Sequence, residues 1–189
     1  MKTDRWTTQI EQTTNDFVQT FGSLTDEQLN WKPDEKTWSI AQNIRHLILI
    51  NESYYPLLES LRKEKYKSPF ISKFGFLVNF FGRTLLKSVE PGRNKKVKTF
   101  RIWIPEEKKV FTDILKKFEA NQEILKAQIR DSEDLLEKKS LVSSPANPNI
   151  VYKLETAFDI ITTHAQRHFN QAKEVWEKMP RSDSPEQKS

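Results

Sequence analysis

Apolar side chains recur at every third or fourth residue along four long segments of this chain, with polar residues between them. This spacing places the apolar side chains on one face of an α-helix. The sequence contains only 4 glycines among 189 residues, which argues against a β fold with many turns. Because a helix must bury its apolar face against other elements, the sequence predicts an all-α fold, a four-helix bundle.

The ends of the predicted helices carry recognisable signals. Gly22 ends the first helix, and Ser39 with Gln42 has the spacing of a capping box at the start of the second. Pro105, followed by two glutamates, is typical of the first turn of a helix. The predicted helices cover residues 4–21, 39–61, 105–136, and 151 or 152 to 179. Connectors are expected at 22–38, folded over the end of the bundle, and at 143–149.

A long basic insertion lies between the second and third predicted helices. It covers residues 63–104, and its glycines and prolines leave room for one helix at about 71–87. A chain of this length suits a single core. We therefore expect one domain at residues 1–180, followed by a disordered tail at 181–189.

The insertion combines positive charge with aromatic side chains. The segment from Arg62 to Arg101 contains 12 lysines and arginines against two glutamates, a local charge of +10 in a chain of net charge +5. It could be a solvated cover with its phenylalanines packed on the bundle, a lid over a binding cleft, a surface for anionic lipid, or a surface for nucleic acid. We expect the cover first and the lid second, because the sequence contains no nucleic-acid-binding motif.

Several classes of protein are excluded by composition. The chain has no cysteine, which rules out disulfides, thiolate metal ligands and a cysteine nucleophile. The polar, charged residues 1–11 lack the apolar run of a secretory signal, so we expect a cytoplasmic protein. The most apolar stretch, residues 69–89, is interrupted by charged residues, so no membrane span is expected.

The chain has 3 histidines, which are His46, His164 and His168. His164 and His168 are four residues apart on one predicted helix, so their side chains lie on the same side. His46 lies at the flank of the apolar face of the second helix. Three neutral imidazoles and a water make an open site for Zn²⁺, Ni²⁺ or Fe²⁺. The spacing is equally typical of buried, hydrogen-bonded core histidines, so by itself it leaves both interpretations open.

Three segments resemble those of one known superfamily. They are LTDEQLNWKPDEKTWSIAQNIRHL at 24–47, VEPGRNKKVKTFRIWIP at 89–105, and HAQRHFNQ at 164–171. In this order they are similar to the DinB-like superfamily, which includes metal-dependent thiol transferases such as the bacillithiol transferases and the mycothiol-dependent maleylpyruvate isomerases. The resemblance implies a four-helix bundle with an up-down-down-up course, often a homodimer, and one divalent transition metal held by His46, His164 and His168.

The same resemblance implies a function. It is the metal-dependent transfer of a low-molecular-weight thiol to an electrophilic small molecule, with a metal-dependent hydrolase and a non-catalytic metal-binding bundle as alternatives. If the basic insertion is a lid, its lysines Lys95, Lys96 and Lys98 are expected to attract an anionic cosubstrate.

Overall fold

The computed structural model describes residues 2–92, 99–106 and 110–180. Its helices are α1 (Asp4–Phe21), α2 (Asp26–Asn30), α3 (Ile40–Arg62), α4 (Gly75–Val89), α5 (Ile114–Arg130), α6 (Glu133–Glu137) and α7 (Leu154–Glu177). Short 3-10 turns span Phe70–Lys73 and Arg101–Trp103, and strands β1 (Leu141–Ser144) and β2 (Asn147–Lys153) pair as an antiparallel hairpin. The predicted tail at 181–189 and the lysines Lys95, Lys96 and Lys98 lie outside the described residues.

Contacts of α1 give the directions of two other bundle helices. Near the N-termini of α1 and α7, the Trp6 indole donates a hydrogen bond of 2.7 Å to Asp159. Further along both helices, the ring centroids of Phe17 and Phe169 lie 5.3 Å apart, so α1 and α7 are parallel. Phe17, near the end of α1, also contacts Phe118, near the start of α5, with centroids 4.9 Å apart. Helix α5 is therefore antiparallel to α1.

Polar contacts between α3 and α5 give the direction of the remaining helix. The Asn51 amide donates a hydrogen bond to the Asn121 side chain at 2.8 Å. Eleven residues further along α3, the Arg62 guanidinium donates one to the Gln128 side chain. Because both positions advance together, α3 and α5 are parallel. The course α1, α3, α5, α7 is therefore up-down-down-up, as the family resemblance implied.

The first two bundle helices agree with the prediction. Helix α1 has the predicted bounds, and α3 begins at the predicted capping box. The Ser39 hydroxyl accepts a hydrogen bond from the Gln42 amide N–H at 3.1 Å, and the Gln42 side chain accepts one from the Ser39 N–H at 3.1 Å. The connector between these helices contains α2 and buries Leu29 in the same core cluster as Phe21, as expected.

The predicted start of the third bundle helix at Pro105 is wrong, because α5 begins at Ile114. The side chain of Asn30 holds the backbone of Phe111, donating to its carbonyl at 2.7 Å and accepting from its N–H at 2.9 Å. These backbone groups are therefore paired outside a helix. Asp113 then has a left-handed φ of 51°, and the helix starts directly after it.

The predicted connector at 143–149 is also wrong in part, because its ends belong to the hairpin. Val142 pairs with Tyr152, and Ser143 pairs with Val151, before an irregularity at Ser144. Val142, Val151 and Tyr152 are buried. The last bundle helix consequently begins at Leu154, two or three residues later than predicted.

Helix α4 of the insertion packs against β2 and α7. It is close to the single helix predicted at 71–87. Gly82 allows this approach, because a Cβ at this position would lie 3.2 Å from Thr156 Cγ2 and 3.4 Å from Tyr152 Cβ. No helix in the described ranges is both long and apolar enough to cross a membrane.

The expectation that the phenylalanines of the insertion pack on the bundle is wrong for most of them. Phe70, Phe76 and Phe80 are 71%, 70% and 57% exposed. The bundle core is already filled by side chains of α1, α3, α5, α7 and the hairpin. Helix α4 adds the buried Val78 and the half-buried Leu85, which lie on its other face.

We predict that Asn30→Ala lowers the free energy of unfolding by about 1–3 kcal/mol, because it removes the two hydrogen bonds between the Asn30 side chain and the Phe111 backbone. The change is measured as a lower midpoint in urea unfolding. Asn15→Ala, at an exposed position of α1, is the control and should leave the midpoint nearly unchanged. An Asn30→Ala midpoint equal to wild type would show that the Phe111 backbone is held by something else.

Candidate metal centre

The three histidines meet between two antiparallel helices. His46 lies on α3, and His164 and His168 lie one turn apart on α7. The Nε2 atom of His164 is 3.0 Å from Nε2 of His46 and 3.1 Å from Nε2 of His168. Two nitrogens bound to one ion at about 2.1 Å lie roughly 3.0–3.4 Å apart when the angle at the ion is 90–110°. The Nε2 spacing therefore matches that of ligands to a common ion.

The ring of His46 is held from behind by a backbone carbonyl. Its Nδ1 lies 2.6 Å from the carbonyl oxygen of Trp103. A carbonyl oxygen only accepts, so Nδ1 carries the proton and donates it. In the neutral ring, Nε2 then has a free lone pair, and this lone pair is directed at the centre of the triad.

The ring of His168 is held in the same way by a side-chain amide. Its Nδ1 lies 2.7 Å from Oδ1 of Asn43. The Asn43 amide nitrogen donates to the Ser39 carbonyl at 2.9 Å, which fixes the orientation of the amide. His168 Nδ1 therefore donates to Asn43, and its Nε2 also presents a lone pair. A hydrogen bond of this type fixes the tautomer and ring orientation of metal-binding histidines.

The donor set fits a cation. The lone pairs of His46 and His168 both face Nε2 of His164, and a single N–H at that nitrogen could satisfy only one of them. His164 Nδ1 is buried and has no hydrogen-bond partner among the described residues, so its tautomer is not fixed by the protein. A metal ion satisfies all three Nε2 atoms at once. In the described part of the chain, these three side chains form a group that can hold a metal ion.

The environment keeps the triad neutral. Burial lowers the pKa of His46 to about 4, against a smaller opposing effect of its hydrogen bond to the Trp103 carbonyl. Burial, followed by the nearby His46, holds the pKa of His164 well below its ordinary value. Burial, followed by the two other histidines, does the same for the pKa of His168. Neutral rings are the form that binds metal, so at neutral pH the triad needs no deprotonation before it binds.

Trp38, directly before the cap of α3, packs on two of these rings. Its ring centroid lies 4.9 Å from that of His46 and 6.0 Å from that of His168, nearly parallel to the latter. Trp38 therefore limits the rotation of both rings from the side, while Asn43 and the Trp103 carbonyl hold them from behind.

The triad lies in the wall of a cavity of about 560 Å³. The cavity extends from Lys36 and Lys178 at one end of the bundle to Tyr54 and Tyr152 of the core. Tyr54 and Tyr152 share a hydrogen bond of 2.6 Å between their hydroxyls. A cavity of this volume suits a small molecule.

Cations outnumber carboxylates among the described residues that line this cavity. Lys36, Arg167 and Lys178 contribute three positive charges, and Glu174 contributes one negative charge. Arg167 is the most buried of the three cations and donates to the Ser88 carbonyl at the end of α4 at 2.6 Å. Gln171 adds an amide to the same wall. The described lining therefore favours a small anion over a cation.

A family model of the DinB superfamily matches residues 9–172. The chain belongs to the DinB superfamily. The matched range contains all three histidines and all four bundle helices except the first residues of α1 and the last residues of α7. Searches of curated proteins and of solved structures found no match.

The sequence predicted the meeting of His46, His164 and His168, and the structure brings them together. It did not predict the residues that orient them. Asn43 had a usable signal, because it lies three residues before His46 on the same helix and so on a neighbouring part of its surface. The Trp103 carbonyl had none, because it is a backbone atom of a residue 57 positions away from His46.

We predict that the purified, untagged protein carries close to one transition metal ion per chain and that His168→Ala loses most of it. The variant removes one of three protein ligands, at a large cost in affinity. Elemental analysis gives the metal content. Asn170→Ala, at an exposed position on the same helix, is the control and should keep its metal. Full occupancy in His168→Ala would remove this residue from the ligand set.

We also predict that Asn43→Ala weakens metal affinity about 10–100-fold although all three histidines remain, because the His168 ring loses its acceptor. Asn43→Asp keeps an acceptor for His168 Nδ1 but loses the hydrogen bond to the Ser39 carbonyl, so it should bind metal more tightly than Asn43→Ala. Competition with a chromophoric chelator measures both affinities. Equal affinities for Asn43→Ala and Asn43→Asp would contradict an orienting role for this side chain.

Proposed function

We propose that this DinB superfamily protein binds one divalent ion, Zn²⁺, Ni²⁺ or Fe²⁺, through His46, His164 and His168, and that it transfers a low-molecular-weight thiol to an electrophilic small molecule. The observation that carries this proposal is the position of the triad in the wall of the cavity. Three protein ligands leave coordination positions available, which is typical of catalytic rather than structural metal sites.

The residues of the site have two roles: the three histidines bind the ion, and the Trp103 carbonyl and Asn43 orient two of them. His46 and His168 are fixed by their acceptors, so their geometry is set before any ligand arrives. A divalent ion held there would supply Lewis acidity, which lowers the pKa of a thiol bound beside it. The chain has no cysteine, so the thiol must come from a cosubstrate.

The charge of the cavity supports an anionic thiol. Arg167 is half-buried, where a charge–charge contact is screened less than at the surface, and it faces the same cavity as the histidines. Lys178 is a weaker candidate, because its side chain is exposed and its charge is screened by solvent. The attraction of an anionic cosubstrate by Lys95, Lys96 and Lys98, which lie outside the described residues, stays a prediction.

We further propose that residues 1–180 act as one domain and that the protein is a homodimer. The family resemblance supports the dimer, and the match over residues 9–172 supports a single domain. Sedimentation velocity of the untagged protein measures the assembly, and a monomer at micromolar concentration would contradict the dimer.

The test of the activity uses the untagged, metal-loaded protein with monochlorobimane as electrophile and cysteine or cysteamine as thiol. These two thiols differ by one carboxylate. We expect saturable, enzyme-dependent conjugation that is lost on chelation and in His168→Ala, with cysteine preferred. No conjugation with these thiols or with glutathione would overturn the proposal. Chelator-sensitive ester hydrolysis without thiol dependence would instead support a hydrolase, and a metal-loaded protein without either activity would support a non-catalytic bundle.

We predict that Arg167→Gln raises KM for cysteine about tenfold or more and changes KM for cysteamine little. A hydrogen bond to a charged group contributes about 1.5–3 kcal/mol, and glutamine keeps a donor for the Ser88 carbonyl. Lys173→Gln removes the same charge from an exposed position of α7 and is the matched control. Equal effects on both thiols, or equal effects of both variants, would exclude a specific contact with the carboxylate.

A further inference from the structure

The outer side of the insertion carries a patch of exposed aromatic rings. This aromatic patch consists of Phe70, Phe74, Phe76 and Phe80, which are 71%, 41%, 70% and 57% exposed. Three of these rings are contiguous, with centroids 5.6 Å apart for Phe70 and Phe74 and 6.4 Å apart for Phe74 and Phe76, and Phe80 follows Phe76 by one turn of α4. Single exposed apolar residues are ordinary, but a contiguous patch marks a surface that binds something.

Helix α4 has two distinct faces, and the aromatic patch continues along one of them. At 100° per residue, Phe76, Phe80 and Arg83 lie within roughly 60° of one another. The inward face, with the buried Val78 and Gly82, lies about 180° away. The inward face is occupied by β2 and α7, so packing among the residues that the structure describes does not account for the exposure of the outward one.

The segment that carries the aromatic patch, between Glu64 and Glu90, contains charges of one sign. Residues 65–89 contain Lys65, Lys67, Lys73, Arg83 and Lys87 and no acidic residue. The ammonium group of Lys73 lies 5.1 Å from the ring centroid of Phe70. Arg83 is exposed and follows Phe80 by one turn on the same face. Aromatic and cationic side chains are therefore interleaved on one surface.

This combination selects between the possible occupants. A symmetric dimer would place the same patch of each copy against the other and bring two positive surfaces together. An anionic bilayer offers both an apolar layer for the rings and negative head groups for the cations. Phenylalanines beside lysines and arginines are the composition of protein surfaces that lie in the membrane interface.

We propose that the aromatic patch of α4 and the preceding turn binds the surface of an anionic lipid bilayer. Phe70, Phe76 and Phe80 enter the region between head groups and acyl chains, and Lys73 and Arg83 contact lipid phosphates. Leu85, Ser88 and Val89 of the same helix line the cavity that contains the histidines. The cavity therefore lies one helix thickness from the membrane surface, within reach of an apolar molecule dissolved in it.

The test is flotation of the untagged full-length protein with vesicles of phosphatidylcholine, with or without phosphatidylglycerol. We expect binding that requires phosphatidylglycerol and that is largely lost at about 1 M salt, where the screening length is about 3 Å. Phe76→Ser combined with Phe80→Ser should reduce the bound fraction severalfold, and Lys73→Gln combined with Arg83→Gln should do the same. Both variants should keep the metal content and melting temperature of wild type, because the changed side chains are exposed.

Matched controls change the same chemistry elsewhere. Ile124→Ser, at a 49% exposed position of α5, and Lys116→Gln, at an exposed position of the same helix, should bind vesicles like wild type. Wild-type protein that stays unbound at low salt, or an equal loss in the controls, would overturn the proposal. The proposal would also be overturned if the wild-type protein bound no vesicles and formed a dimer that the double variant Phe76→Ser, Phe80→Ser dissociates. Binding of a fluorescent oligonucleotide, sensitive to the same variants and without vesicle binding, would assign the patch to nucleic acid instead.

Discussion

The antiparallel packing of α3 against α7 is the contact on which the candidate metal centre depends. It brings His46 to the two histidines of α7, and a shift of one helical turn, about 5.4 Å, would separate them. Two polar contacts fix the register. Asn43 on α3 meets His168 on α7 at 2.7 Å, and the hydroxyl of Tyr54 on α3 lies 2.6 Å from that of Tyr152, which is on β2 two residues before α7 begins. Hydrogen bonds are directional, so these contacts hold the two segments in one relative position.

Local signals in the sequence were sufficient wherever an element is determined by its own residues. Helix α3 begins at its capping box, and α1 ends where Gly22 follows it. The start of α5 was mispredicted because Asn30, 81 residues before Phe111, holds the backbone there outside a helix. The hairpin was missed because its prolines were interpreted as a connector, although Val142 and Val151 are β-branched and buried. Pairing between distant segments decides both cases, and periodicity does not report it.

The candidate site divides in the same way. The spacing of His164 and His168, together with the family resemblance, was enough to predict that the three histidines lie in one site. The neutral state of the rings follows from burial, which lowers their pKa values, and burial of a particular side chain depends on the whole bundle. The role of Arg167 was missed because a single arginine on a helix is ordinarily exposed to solvent. Only the packing of α4 against α7 places Arg167 beside Ser88 and the cavity. The insertion thus supplies part of the cavity wall that the four-helix bundle lacks.

The hydrogen bond from His46 to the Trp103 carbonyl couples the candidate metal centre to the segment that contains Trp103. The acceptor is a backbone atom, so its position depends on where the segment lies, and a second hydrogen bond, from the Trp103 indole to Ser53 at 3.0 Å, helps to place it. An ion bound at His46 Nε2 would keep the proton on Nδ1 and so favour the hydrogen bond to Trp103. By reciprocity, a segment placed to accept this hydrogen bond would raise the affinity for the ion by the same factor. Phe100, at the cavity wall, stands three residues before Trp103 and contacts its ring, with centroids 5.6 Å apart. A molecule in the cavity that binds Phe100 more tightly in one placement of this segment than in another would therefore change the affinity of the histidine triad for an ion without touching any of its three ligands.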